Sequence, residues 1–298
     1  MPGPVFSIIL CSRNRAALLR DALESIRAIE FPEADFELCL VDNDSSDDTK
    51  AVTFAFGDSV PFGVRYILET KLGLSAARNR GIREARGQYL FFTDDDQLVD
   101  PAILREHLRV AKAYDARAIQ GAIHLKFPEG RPGWLHGPLA TILGQTHDVP
   151  EGPANIDLYG GNMVFRRDVF QSLDAFREDL GKGAAGYSED IEITRRLRQR
   201  GEKIVYAPTA RIYHVIGPDR SSAGFLRRNS FEKGYSDGLI APPSTRKRRA
   251  LGSLFEVLLY GTVAIVRLPN RHKSILAQTR AIDHAGRLLG IVKAARSS

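Results

Sequence analysis

The sequence predicts an α/β fold, and three observations carry that expectation. Short apolar or aromatic runs at residues 5 to 11, 36 to 41 and 88 to 92 read as strands. The stretches between them include helical patterns, and two acidic clusters fall directly after strand ends, Asp42 with Asp44 and Asp94 to Asp96. In sheets of this kind ligands bind beyond the carboxyl ends of the strands, so both clusters stand where a site belongs. With 298 residues and 43% hydrophobic content, the chain suffices for one large domain or a domain with an appendage, and disorder is not its default state.

The first strand, Val5 to Cys11, is short, and Arg13 and Arg15 follow it rather than precede it. That order is not the order of a secretory leader, so a cytoplasmic location is expected. The only cysteines, Cys11 and Cys39, each sit in a strand-like run and read as buried thiols rather than as a disulfide or a metal pair. Leu19, Leu23 and Ile26 recur at helical spacing over Ala16 to Ile29, with Asn14 as the candidate cap. A second helix, Ala76 to Ala85, is expected to stop at Gly87 in the left-handed conformation. The strand Gln88 to Phe92 follows and runs into Thr93-Asp94-Asp95-Asp96. Residues 121 to 161, rich in Gly and Pro and holding the sole tryptophan Trp134, read as an irregular segment over the site. Ser188 reads as the cap of a helix supported by Ile193 with Leu197 and stopped at Gly201.

Three consecutive aspartates repel one another unless a cation or a buried partner offsets their charge. A divalent metal is one answer, and oxygen-rich ligands suit Mg²⁺ or Mn²⁺, which bind through one or two carboxylates together with substrate phosphates. Taken alone, the triplet reads better as a solvated turn.

Its flanks change that reading. Phe6 to His214 contains Ser7-Ile8-Ile9-Leu10-Cys11-Ser12-Arg13-Asn14, Val41-Asp42-Asn43-Asp44-Ser45-Ser46-Asp47-Asp48-Thr49 and Gly73-Leu74-Ser75-Ala76-Ala77-Arg78-Asn79-Arg80-Gly81-Ile82. Phe92-Thr93-Asp94-Asp95-Asp96, Gly161-Asn162-Met163-Val164-Phe165-Arg166-Arg167 and Ser188-Glu189-Asp190 follow in order. Together these segments resemble the inverting family 2 glycosyltransferases of the GT-A fold. The resemblance implies a Rossmann-like mixed sheet flanked by helices over residues 1–214, with a basic, mostly helical extension over 215–298. It further implies transfer of one sugar from a nucleotide-diphosphate sugar, a UDP-sugar above all, to a hydroxyl of a glycan or lipid-linked acceptor, in cell-surface polysaccharide or glycoconjugate synthesis.

The resemblance also implies roles. Cys11 to Arg13 and the pair Asp42-Asn43 would hold the nucleotide base, Asn43 standing where the family often has Asp. Arg78 would contact the donor phosphates or ribose, Asp94 and Asp95 the ribose and diphosphate, and Asp96 the metal. His214 stands where related enzymes place a further metal ligand, and a purely structural histidine is the equal alternative. Asn162 would lie where the acceptor or donor sugar binds, or else serve as a turn residue. Glu189-Asp190 matches the acidic pair that supplies the catalytic base, with Asp190 the better candidate. Displacement at an anomeric carbon needs such a carboxylate to take the acceptor proton while the metal neutralises the leaving diphosphate. Acidic residues in a first helical turn are also stabilised by the helix dipole, which is the structural alternative for this pair.

Charge divides the chain. Residues 215–298 hold fifteen Lys and Arg against five Asp and Glu, a net of +10, whereas the first 214 carry 27 basic and 31 acidic residues, a net of −4. Arg246-Lys247-Arg248-Arg249 precedes the apolar stretch Leu251 to Leu268, which Glu256 interrupts. A spanning helix would bury Glu256 in the bilayer, so a peripheral helix at an anionic inner membrane face is expected from residues 240–298, with packing on the catalytic domain as the alternative. Nucleic acid is not an expected partner, because no aromatic stacking series or groove-reading motif accompanies the charge. A processive synthase would carry several spanning helices and a Gln-x-x-Arg-Trp element, which Trp134 does not complete. A sugar nucleotidyltransferase would place a Gly-rich loop after the first strand, where this chain has Cys11-Ser12-Arg13-Asn14. A non-catalytic nucleotide-sugar or glycan-binding module is the non-enzyme alternative.

Overall fold

A computed structural model describes residues 3–32, 35–146, 149–184 and 186–296. The chain divides into two compact units. One comprises Met1–Lys126, Thr146–Glu178 and Glu189–Val215, the other Phe127–Gln145, Asp179–Ser188 and Ile216–Ser298.

The first unit is organised by β1 (Phe6–Ser12), in which every residue is buried. Its neighbours β2 (Phe36–Asp42) and β4 (Tyr89–Asp94) flank it in parallel, and β3 (Gly63–Leu68) extends the same parallel run beside β2. Strands covered on both faces read as continuous apolar runs, which is why β1, β2 and β4 are legible as strands without polar alternation. Alternate residues then serve opposite cores. Phe6, Ile8 and Leu10 join Leu19, Leu23 and Ile26 of α1 (Ala16–Arg27) on one face. Ile9, Cys11, Cys39 and Val41 meet Ala77 of α3 (Leu74–Glu84) and Ile193 and Leu197 of α7 (Glu189–Gln199) on the other. Both cysteines are free and buried, and burial pushes each thiol up to about 12. Between α1 and α3, α2 (Thr49–Gly57) connects β2 to β3.

Beyond β4 the sheet becomes mixed. It continues through β8 (Met163–Arg166), β6 (Ala118–Lys126) and β9 (Ile204–Val215) to the short β5 (Gln97–Val99), while β7 (Gly152–Pro153) pairs on β9. The contacts β4–β8, β8–β6 and β9–β5 are antiparallel and β6–β9 is parallel. The helix α4 (Ile103–Ala113) and the short α6 (Val169–Ser172) complete this unit.

Three local expectations are corrected. Asn14 does not cap α1. It takes a positive φ of 53°, its side-chain oxygen accepts from Ser46 N at 2.7 Å, and Asp47 accepts from Ala16 N at 2.9 Å instead. The helix before Gly87 ends at Ala85 in an extended conformation, and Gly87 has no left-handed φ. Gly87 is needed for close approach, since a Cβ there would stand 2.3 Å from Ser7 N. Ser188 likewise spends its hydroxyl elsewhere, donating to Asp237 at 2.8 Å.

The second unit is helical. It contains α5 (Pro138–Thr141), α8 (Ala223–Leu239), α9 (Arg246–Val266) and α10 (Arg271–Arg296). Trp134 belongs to this unit, where its backbone oxygen pairs with His272 Nδ1 at 2.8 Å and Arg271 lies over its ring.

Candidate active site

The chain reverses direction across the sheet at β1, which has β2 on one side and β4 on the other. A crevice opens at such a switch point beyond the carboxyl ends of the strands. The register places Ser12 beside Asp42 and Cys11 beside Asp94, so both acidic clusters flank the end of β1.

The charges of Asp94 to Asp96 are compensated by two arginines. Arg78, on α3 and almost wholly buried, donates from Nη1 to Glu189 Oε1 at 2.7 Å and from Nη2 to Asp94 Oδ1 at 3.3 Å and Gly160 O at 3.2 Å. Burial opposes its charge, but Asp94 and Glu189 outweigh burial and raise its pKa. Arg15 Nη1 lies 2.5 Å from Asp95 Oδ1 and Nη2 lies 2.9 Å from Asp96 Oδ2. Ser12 donates to the other Asp95 oxygen at 2.8 Å. Burial nevertheless pushes the Asp95 carboxyl up to about 7, against the pull of Arg15 and with the push of Asp96.

Asp190 lies in the first turn of α7. Its Oδ2 accepts from Gly160 N at 3.1 Å and its Oδ1 from Ile191 N at 2.8 Å. Burial and then the adjacent Glu189 raise its pKa well above the ordinary carboxylate value, with Arg78 pulling the other way. The Gly160 peptide therefore joins the two ends of the site: its oxygen accepts from the arginine that holds Asp94, and its N–H donates to Asp190. A side chain at either glycine of that turn would have to displace a side chain that holds the site. A Cβ on Gly160 would fall 2.4 Å from Arg78 Nη2, and one on Gly161 would fall 1.8 Å from Gln97 Nε2. Gln97 in turn braces the aspartate turn, accepting from Asp94 N at 3.1 Å.

His214 and Asp96 are brought together by the pairing of β5 with β9, with His214 Nε2 3.5 Å from Asp96 Oδ1. Among the described residues no group of three or more His, Cys, Asp or Glu side chains forms a metal cage. An imidazole and a carboxylate at this spacing still suit a cation that takes its remaining ligands from diphosphate and water, so the residues present fit Mn²⁺ or Mg²⁺.

The remaining candidates are not gathered so simply. Arg13 is exposed and Cys11 is buried in the sheet. Asp42 is buried and accepts from Ser45 N at 2.9 Å and from Tyr66 OH at 2.7 Å. The Asn43 amide donates to Glu69 O and Lys71 O and accepts from Gly73 N, at 2.8 to 2.9 Å. Asp42 and Asn43 thus hold the loops after β2 and β3 rather than presenting open polar edges. Asn162 is a correction. It is wholly buried just before β8, with its amide satisfied by His107, Ala122 O and Ala210 O at 2.9 Å, so its side chain does not face a sugar, while its backbone N–H closes the turn by donating to Tyr159 O at 3.3 Å. The turn is made by the glycines before it.

The family model of glycosyl transferase family 2 matches residues 7–174. The chain belongs to glycosyl transferase family 2. It is an enzyme of that family, a glycosyltransferase, with the GT-A fold. The succinoglycan biosynthesis protein ExoM of Rhizobium meliloti (strain 1021) is 25% identical over 306 residues, covering 98% of this chain and 95% of that protein. The mannosyltransferase PcManGT from Pyrobaculum calidifontis, solved in complex with GDP-Man and Mn²⁺, shares the fold at a TM-score of 0.67 and 18% identity, over 96% of this chain and 87% of its own. S. aureus TarS 1-349, solved in complex with UDP-GlcNAc, shares it at a TM-score of 0.52 and 18% identity, over 97% and 89%.

In this glycosyltransferase, sequence reasoning missed Arg15, Gln97 and Gly160, and named Ser12 only as part of the Cys11 to Arg13 segment rather than as a partner of Asp95. Arg15 left a signal: three adjacent aspartates require compensation, and a basic residue just beyond the first strand is close enough to supply it. Gln97 acts through its side-chain amide on the aspartate turn and Gly160 through its backbone, and neither left a signal.

Proposed function

We propose that this glycosyltransferase is inverting and metal-dependent, moving one sugar from a nucleotide-diphosphate sugar, with UDP-sugars as the preferred class, to a hydroxyl of a glycan or lipid-linked acceptor. The observation that carries this reading is the hydrogen-bonded chain Asp94–Arg78–Gly160–Asp190, which holds a diphosphate-side carboxylate and a high-pKa carboxylate in one rigid frame.

Asp190 acts as the base. The acceptor hydroxyl gives its proton to the Asp190 carboxylate as its oxygen bonds to the anomeric carbon, and the bond from that carbon to the diphosphate oxygen breaks, with the electron pair leaving on the nucleoside diphosphate. A base with a raised pKa is suited to this task near neutral pH. Glu189 keeps Asp190's proton affinity high and anchors Arg78. Arg78 contacts the donor phosphate or ribose, and Asp94 and Asp95 border the ribose and diphosphate. Cys11, Arg13 and the loops held by Asp42 and Asn43 surround the base. Asp96 and His214 would hold Mn²⁺ or Mg²⁺, which supplies positive charge to the leaving diphosphate when bound.

ExoM is named for succinoglycan biosynthesis, and TarS and PcManGT were solved with UDP-GlcNAc and GDP-Man. These support a role in cell-surface polysaccharide or glycoconjugate synthesis. A lipid-linked acceptor would put the enzyme on the inner face of the cell membrane as a peripheral, cytoplasmic protein. The test is a donor screen over uridine, guanosine and thymidine diphosphate sugars with Mn²⁺ or Mg²⁺ and with chelator, followed by NMR of the product anomer. Turnover that survives chelation would refute metal dependence, and a retained anomeric configuration would refute inversion.

A further inference from the structure

Helix α9 is built inside out. Leu251, Leu254, Phe255, Leu258, Ile265 and Val266 recur at intervals of three and four and so share one face, and every one is more than half exposed. The opposite stripe, Ser253, Tyr260 and Ala264, turns to α10. His284 Nδ1 lies 3.4 Å from Ser253 Oγ, Arg280 Nη1 lies 3.4 Å from Tyr260 OH, and Ser274 Oγ donates to Ala264 O at 3.1 Å. A helix on a water-soluble surface does the reverse, packing its apolar stripe inward. The neighbouring pair does pack tightly: a Cβ on Gly234 of α8 would meet Asp283 O of α10 at 1.9 Å. The outward face of α9 is therefore a feature of that helix within an otherwise closely packed unit.

The distribution of charge says what covers this face. From Ala250 to Val266 the only charged residue is Glu256. Lys247 and Arg248, both exposed, stand one turn before Leu251, and Arg267, Arg271 and Lys273, also exposed, follow the other end. An apolar stripe about 24 Å long, at about 1.5 Å per residue, thus lies between two groups of cations. By length and composition alone, the stretch Pro243–Val266 would also permit spanning. Spanning would carry the partner helix α10 into the bilayer with α9, and with it Arg280, Asp283 and Arg287, which are costly there.

We propose that α9 docks in the plane of an anionic lipid bilayer, its outward leucine and phenylalanine stripe among the acyl chains and the cations at its two ends on lipid phosphates. Two signals of this kind, an inserted apolar face and a polybasic flank, are what stable peripheral attachment needs. The proposal deepens the peripheral location given above and is independent of the donor and the acceptor used.

The experiment is co-sedimentation of the full chain with vesicles of phosphatidylcholine alone and of phosphatidylcholine with phosphatidylglycerol. Leu254→Glu/Leu258→Glu and Lys247→Glu/Arg248→Glu are compared with the parent, with circular dichroism and hydrolysis of a soluble donor as controls for folding and for the catalytic reading. All four side chains lie outside the site, so both controls are expected to be unchanged. The parent is expected to pellet with the anionic vesicles and to be released by alkaline carbonate. The charge reversal should weaken binding by at least about thirtyfold, at roughly fivefold for each of the two cations lost and more for the two anions gained, and the leucine pair should abolish it. Retention after carbonate would show a spanning helix and overturn the proposal. So would indifference to phosphatidylglycerol, or a parent that ignores both vesicles while Leu254→Glu/Leu258→Glu converts a dimer to a monomer, which would assign the face to a second copy.

Discussion

Removing Arg78 tests the frame of the site most sharply. Its guanidinium stands 2.7 Å from Glu189, whose side chain is 8% exposed, and 3.3 Å from Asp94, whose side chain is 29% exposed. The two partners carry unequal weight. Asp94 reaches solvent, and a pair of that kind contributes about 1 kcal/mol or less. Glu189 does not, and breaking a buried pair by deleting one partner costs about 3 to 5 kcal/mol, because the survivor stays charged and unpaired. Arg78→Met is therefore expected to lower the melting temperature by about 6 to 20 °C, at about 2 to 4 °C per kcal/mol for a domain of about 150 to 250 residues. The double variant Arg78→Met/Glu189→Gln removes both charges and should recover most of that loss while leaving transfer impaired, since Arg78 is also proposed to meet the donor. Thermal melts followed by circular dichroism, alongside donor-binding titrations, measure both. A double variant as unstable as the single would refute the reasoning, because the penalty would then not come from the orphaned carboxylate.

Asp190→Asn removes the base and should cut transfer by about 10² to 10⁴, with donor affinity within a few-fold of the parent; rapid transfer by this variant would remove Asp190 from the chemistry. The kcat/KM profile should fall on its acid side at a pH above the ordinary carboxylate range, because Asp190 works only when ionised and its pKa is raised. Glu189→Gln withdraws one of the groups that raise it, so that acid limb should move to lower pH, and a limb that stays or climbs would contradict the assignment. Gly161→Ala places a Cβ 1.8 Å from Gln97 Nε2 and should destabilise the unit by about 1 to 3 kcal/mol, read by chemical denaturation; a neutral effect would mean that the turn can open without cost.

The strands and their order of sites were legible because both faces of β1, β2 and β4 are covered. Continuous apolar runs such as Ile8-Ile9-Leu10 then need no knowledge of partners to be recognised. Helix ends were less legible, since their orphan N–H groups are satisfied from a distance. Asp47, 31 residues along the chain, does for α1 what Asn14 beside it does not. The mixed half of the sheet was legible only through resemblance, because β5 and β7 have three and two residues and are defined by what β9 offers them. Within the site, Asp94, Arg78, Glu189 and Asp190 were named through the family resemblance of the motifs that hold them. That Asn162 turns inward to His107 could not be read in this way, because an Asn after two glycines fits a turn and a strand start equally well.

The aspartate triplet shows where a correct premise outran its conclusion. Three carboxylates do need compensation, but two arginines provide it here, so repulsion alone no longer argues for a metal. The two arginines differ in what they allow. Arg78 is 3% exposed and fixed by three contacts, whereas Arg15 is 33% exposed and, among the described residues, its guanidinium pairs with Asp95 and Asp96. A cation approaching Asp96 and His214 thus meets the charge of Arg15 first. Arg15→Met deletes that competitor and leaves both carboxylates in place, so binding of Mn²⁺ to the donor-free protein, followed by calorimetric titration, should tighten by at least roughly fivefold, the effect of a unit charge about 4 Å away even at the dielectric of bulk water. Weaker binding in the variant would give Arg15 the opposite role, that of holding the carboxylates in position for the ion, and would move the metal reading onto a preorganised site rather than a contested one.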